Sequence, residues 1–159
     1  VMTSIIASGG KIVEPTLLFK DNNDFKVFSK YSKEIEIVKK AMHKVVNEYK
    51  GTAYNSRLED IEFSGKTGTS QVKRISLTER ESADFRKKEK EWKNRDHALF
   101  VGYMPSIKPK YSISVVIDHG GSGAGTAAPI AKQIFNYINK LNAWISTKLK
   151  ILIFYLFFY

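Results

Sequence analysis

The sequence predicts an α/β fold of the α+β kind, a small sheet covered by helices. Three observations carry this. Apolar side chains recur at helical spacing over residues 33 to 49, three strand-like runs follow one another after it, and a second helical pattern closes the chain. With 159 residues, 43% of them hydrophobic and 26% charged, the chain is one globular unit, large enough for a single core and too short for two comfortable domains.

Residues 2 to 8 read as the end of a short apolar helix closed by Gly9-Gly10, and "KIVEPTLLF" reads as a brief extended piece around Pro15. A loop rich in Asn, Asp and Lys follows. Ser32 is then placed to cap a helix whose apolar positions are Ile35, Val38, Met42, Val45, Val46 and Tyr49, with Gly51 as its stop. The strand runs are "EFSGKTGTSQV", "HALFVGYMP" and "YSISVVID", the last leading into the glycine-rich "HGGSGAGTA". The final helix is expected to carry Ile130, Ile134, Ile138 and Leu141 on one face, with Pro129 tolerated in its first turn.

Between the first two strands lies the most polar segment, residues 79 to 96, with seven basic and six acidic residues among eighteen. The signs nearly cancel, which predicts a solvated helical excursion anchored by Phe85 and Trp92. A nucleic-acid groove needs one dominant sign to release counterions. The net charge of +10 is otherwise dispersed, and no basic run or zinc spacing accompanies it, so nucleic acid is not expected as a partner. The absence of cysteine removes disulfides and thiol chemistry and leaves the redox compartment open.

The N-terminal "VMTSIIASGGKIVEP" shows no basic region and no apolar run of secretory length, so neither signal nor anchor is expected there. The other end closes on nine consecutive apolar or aromatic residues, 151 to 159, directly after Lys148 and Lys150. That is short of the ~17 to 25 residues of a spanning helix. Two readings stay open: an appended stretch that aggregates or lies on a surface, or an interfacial membrane anchor.

"GAGTAA", residues 123 to 128, spells a dinucleotide fingerprint between a strand and a helix, yet no Asp or Glu follows Asp118 to hold a ribose. Those glycines are expected to form a turn. His43, His97 and His119 lack metal-ligand spacing and are expected to be packed or solvent-facing. No metal and no cofactor is expected.

The first strand is the candidate site. Side chains alternate along a strand, so Thr67 and Thr69 project from one face and Lys66 from the other, while Gly68 leaves room for a ligand backbone. An extended peptide beside it would pair with the main chain and present a carboxylate to two hydroxyls near an ammonium group.

The ordered steps Gly51-Thr52-Ala53, Gly65-Lys66-Thr67-Gly68-Thr69, Asp96-His97-Ala98, Phe100-Val101-Gly102-Tyr103 and Ala127-Ala128-Pro129 carry a resemblance. It is to the C-terminal part of the transpeptidase domain of class B penicillin-binding proteins of the elongation type. The resemblance covers residues 1 to 140 and leaves 141 to 159 outside as an apolar tail. It implies a penicillin-binding, β-lactamase-like fold with an antiparallel sheet covered by helices. It also implies a serine acyltransferase acting on the D-Ala-D-Ala end of a peptidoglycan stem peptide, acylated by β-lactams, at the periplasmic face of the inner membrane.

In that family S-x-x-K, S-x-N and K-T-G surround the site. The resemblance gives Lys66 the motif lysine's role and gives Thr67, Gly68 and Thr69 the substrate's carboxylate end. The Thr69 backbone N–H becomes an oxyanion donor, a contact worth ~3 kcal/mol in the transition state. The sequence contains no S-x-N, and its two S-x-x-K spellings, Ser8 to Lys11 and Ser70 to Lys73, fall on a glycine-broken loop and on the K-T-G strand. Neither sets serine and lysine one helical turn apart. The resemblance therefore implies a truncated fragment, inactive alone, with apolar surface where the missing helical half should sit. The alternatives are half of a split enzyme completed by a partner chain, or a non-catalytic D-Ala-D-Ala or β-lactam binder.

Overall fold

A computed structural model describes residues 1–12, 15–16, 26–73, 78, 81 and 91–157. Three helices, α1 (Met2–Ala7), α2 (Ser32–Asn47) and α3 (Ala128–Phe157), accompany three strands, β1 (Ser64–Ser70), β2 (His97–Met104) and β3 (Tyr111–Ile117). The strands form one antiparallel sheet in the order β1-β2-β3, so β1 is an edge among the described residues.

Helix α1 ends as its glycines predict. Gly9 adopts φ +77°, and the Gly10 and Gly9 N–H groups donate to the Ile5 and Ile6 carbonyls. This nested pair satisfies the last carbonyls and requires a left-handed residue, which glycine adopts without a Cβ penalty. Beyond it, Lys11 bridges to Val27; the rest of the extended piece around Pro15 and the loop after it lie largely outside the described residues.

Helix α2 starts one residue earlier than its sequence signal. Tyr31 holds the cap position and makes no side-chain cap bond, while Ser32 is already helical. A short 3₁₀ turn, Ser29–Tyr31, leads directly into it, so the backbone has begun to wind before serine is reached. Met42 and Val46 are buried, whereas Val38 is 41% exposed and Tyr49, past the helix end, 83% exposed. A Cβ on Gly51 would stand 2.2 Å from the Val45 carbonyl oxygen, which is why the chain can turn back against the helix only at a glycine. Asn47 then fastens helix to strand, its amide donating to the His43 and Phe63 carbonyls.

Cross-strand partners share a sheet face. Ala98, Phe100 and Val115 lie on the face that α3 covers, joined there by Val46, Phe63 and Phe135. The stripe that α3 buries is Ala128, Ala131 and Phe135, with Ile130 and Ile138 at its margins. This corrects the sequence expectation, since Ile134 and Leu141 are 41% and 43% exposed. Alanines let the helix backbone approach the sheet closely, and the ring of Phe135 then fills the depth below Phe63.

The opposite face carries Lys66, Gly68, Leu99, Val101, Ser114 and Val116 by register. Helices α1 and α2 cover its far end, where Ala7 and Met42 enclose Tyr103 and Ser4 Oγ meets Ser112 Oγ at 2.8 Å. Val116 is 57% exposed. The native chain is expected to bind a polarity-sensitive apolar dye at this face; a cooperative melt with no dye signal before unfolding would count heavily against that.

Thr78 and Glu81 are helical, while Phe85 lies outside the described residues. Trp92, in the 3₁₀ turn Trp92–Asn94, is 63% exposed and packs at a tilt against the His119 ring, centroids 4.6 Å apart. It is thus a surface lid over a histidine and not the core anchor its sequence position suggests. Among the described residues no helix is long and apolar enough to cross a membrane.

Candidate functional site: the Lys-Thr-Gly strand

Residues 64 to 70 can pair closely as a strand because Gly65 sits where a side chain would collide. A Cβ on Gly65 would lie 2.2 Å from the Phe100 ring, so glycine there lets β1 pair tightly over a buried aromatic. The register sets Thr67 opposite Phe100, Gly68 opposite Leu99 and Thr69 opposite Ala98, with Lys66 opposite Val101. Thr67 and Thr69 therefore share one face and Lys66 takes the other. Ser64, buried where the strand begins, bonds to Ser106 Oγ at 2.9 Å.

Both threonine hydroxyls of the strand have a neighbour that sets their direction. Thr67 Oγ1 lies 2.8 Å from Thr52 Oγ1, brought there by the turn after α2. Thr69 Oγ1 accepts the Gly123 N–H at 3.4 Å. A hydroxyl that accepts one bond keeps its own O–H to donate, so Thr69 faces outward as a donor, and Thr67 does the same when Thr52 donates to it. The Lys66 ammonium donates to the Thr67 carbonyl at 2.7 Å, adding positive charge on an exposed side chain. Two hydroxyl donors and a cation along a strand edge suit a carboxylate.

Two residues outside the strand complete this geometry, and sequence reasoning assigned a role to neither. Thr52 belonged only to a family step. Gly123 was read as part of a turn, and it does open one, the π-helical turn Gly123–Ala127 capped by Ser122, whose Oγ accepts the Gly125 N–H. Its position matters more: a Cβ there would fall 2.3 Å from the Gly68 carbonyl oxygen and 2.5 Å from that of Leu99. The signal was a glycine between the last strand and the last helix, but only the fold shows which backbone it must approach.

The histidines are packed by local partners. His43 Nε2 lies 3.1 Å from Glu62 Oε2. His97 Nδ1 accepts the His119 N–H at 3.0 Å and stands 3.4 Å from Asp118 Oδ1, while His119 Nδ1 meets the Arg95 carbonyl at 3.1 Å. No group of three or more His, Cys, Asp or Glu that could hold a metal occurs among the described residues.

The site is an edge strand, Lys-Thr-Gly-Thr, of an antiparallel sheet clasped by helices and buttressed by a π turn. The family model described as the penicillin binding protein transpeptidase domain matches residues 1–136. The chain belongs to that family. It is similar to the peptidoglycan D,D-transpeptidase MrdA of Haemophilus influenzae, 34% identical over 132 residues, covering 80% of this chain and 19% of that protein. For MrdA of Acinetobacter baumannii the identity is 36% over 100 residues, 63% of this chain and 13% of that protein. The chain thus spans less than about a fifth of the length of these curated relatives. Among solved structures it superimposes on the penicillin-binding protein PBP2 of Helicobacter pylori, determined in complex with MreC. That match has a TM-score of 0.70 at 28% identity and covers 87% of this chain and 23% of that one. It also superimposes on PBP2 of Pseudomonas aeruginosa in complex with WCK 5153, with a TM-score of 0.59 at 28% identity over 85% of this chain and 27% of that one.

Proposed function

We propose that this chain supplies the K-T-G side of a peptidoglycan D,D-transpeptidase site, with the acylated serine contributed from outside residues 1–159. In this reading residues 1 to 140 are the C-terminal portion of the transpeptidase domain, working at the periplasmic face of the inner membrane. The observation that carries it is the pair of oriented hydroxyls, Thr67 and Thr69, on an edge strand beside Lys66. A stem peptide ending in D-Ala-D-Ala would lie along β1, its terminal carboxylate taking hydrogen bonds from both threonines, and Gly68 would leave the approach open. The incoming serine would attack the penultimate D-Ala carbonyl, with the Thr69 N–H holding the developing oxyanion. Loss of the terminal D-alanine leaves an acyl-enzyme, which an amine from a neighbouring strand then resolves. Lys66 would hold the S-x-N serine and raise the local positive potential. A β-lactam carries its carboxylate in the place of the peptide's and acylates the same serine.

The test is labelling with a fluorescent penicillin, the chain alone and mixed with the N-terminal part of a matching transpeptidase domain, read by intact mass. The expected result is no adduct alone and an adduct on the partner's serine in the mixture. An adduct on this chain alone would overturn the assignment of the nucleophile, and no adduct in the mixture would remove the proposed role. Measurable binding of a D-Ala-D-Ala peptide in that last case would leave a non-catalytic binder. In the complemented site Thr52→Val is expected to slow acylation severalfold while changing stability by no more than about 1 kcal/mol, because it removes one exposed hydroxyl contact and little volume. An unchanged acylation rate would show that Thr52 does not orient Thr67.

A further inference from the structure

Helix α3 runs as one helix from Ala128 to Phe157, about 45 Å at 1.5 Å per residue, and only its first part is needed to cover the sheet. Its buried stripe ends near Ile138, and the Tyr111 hydroxyl holds it at its midpoint by donating to Asn142 Oδ1. Beside that buried stripe, Ile134, Tyr137, Leu141, Trp144 and Ile145 are exposed, by 41%, 69%, 43%, 60% and 49%. At 100° per residue these five fall within an arc of about 100°. They form a continuous apolar stripe along a helix that carries Lys132, Lys140, Lys148 and Lys150 and no acidic residue.

We propose that this stripe is an interfacial helix face that seats the chain on an anionic lipid surface. The combination of one apolar stripe with tryptophan and tyrosine, and of lysines with no counter-charge, is the pattern of helices that lie in the headgroup plane. Each lysine near such a surface adds attraction that salt screens. Charge decides against a second copy of the chain as the occupant. Two such helices packed together would bring their lysines close with no carboxylate on the helix to pair them, since no Asp or Glu follows Asp118. At a bilayer the same lysines meet lipid phosphates.

The experiment uses the full chain in a Trp92→Phe background, so that Trp144 is the only indole. It is sedimented with phosphatidylcholine vesicles and with vesicles containing about a third phosphatidylglycerol. The expected result is at least about tenfold tighter binding to the anionic vesicles, weakened by salt, with a blue shift of Trp144 emission. Lys148→Glu with Lys150→Glu should abolish the preference for anionic lipid, and Leu141→Ser with Trp144→Ser should lower binding to both vesicles. Both pairs alter exposed or polar positions, and far-UV circular dichroism checks that each keeps its helices. Equal binding to the two vesicles, or none, would overturn the proposal. A concentration-dependent dimer in sedimentation velocity without vesicle binding would assign the stripe to a second copy.

Discussion

Replacing Gly123 by alanine is expected to destabilise the chain by about 2–3 kcal/mol and to push the Lys-Thr-Gly strand away from its neighbour. The added Cβ would sit 2.3 Å from the Gly68 oxygen, 2.5 Å from the Leu99 oxygen and 2.9 Å from the Gly68 nitrogen. All three are backbone atoms locked in the β1–β2 ladder, so no side chain can swing aside to make room. Either the π turn lifts, which breaks the Gly123 N–H bond to Thr69 Oγ1, or the strand bends at the site's centre. Gly125→Ala in the same turn is the control, because a Cβ there meets nothing nearer than Ser122 at 3.8 Å. It should be neutral or slightly stabilising through helix propensity. Urea unfolding gives the stabilities, and amide exchange at Gly68 and Thr69 reports the strand. A Gly123→Ala chain with an unchanged midpoint and unchanged exchange would show that the turn does not hold the strand.

The second large effect is expected at Phe63. This ring is fully buried, 6.3 Å from the Phe100 ring and 5.1 Å from that of Phe135, and so it joins the sheet to α3 just ahead of β1. Truncation to alanine should cost about 3–5 kcal/mol, the lost transfer energy plus the cavity left behind. Set against the total of about 5–15 kcal/mol typical of a small domain, that is enough to erase a cooperative transition. Phe63→Leu keeps most of the volume and should cost far less. The Phe63 carbonyl also receives the Asn47 amide, so α2 would loosen together with α3. Near-ultraviolet circular dichroism during urea unfolding checks this, and an alanine variant within about 1 kcal/mol of the parent would mean that the three rings do not act as one core.

Local sequence was sufficient wherever structure depends on near neighbours. The three strands were legible because β-branched and aromatic residues alternate between turn residues, and the α1 stop because two glycines follow an apolar turn. The motif strand was legible in the same way, since alternation alone separates Lys66 from Thr67 and Thr69. The family's ordered motif steps were visible as well. Helix ends were less so: the chain entered α2 through a 3₁₀ turn that no capping residue announces.

What only the tertiary structure decided was which side chains meet. Four aliphatic residues at helical spacing pointed to one face of α3, yet the sheet took the neighbouring face. Its alanines permit close approach and Phe135 fills the remaining depth, so Ile134 and Leu141 were left in solvent. Thr52 and Thr67 are fifteen residues apart and meet through hydroxyls, and Gly123 reaches Thr69 across fifty-four. Periodicity records how a segment presents itself, and it carries no information about which other segment arrives. That depends on volumes and close approaches summed over the whole core, so sequence alone determined the strand that bears the candidate site, and the fold determined which neighbours its hydroxyls meet.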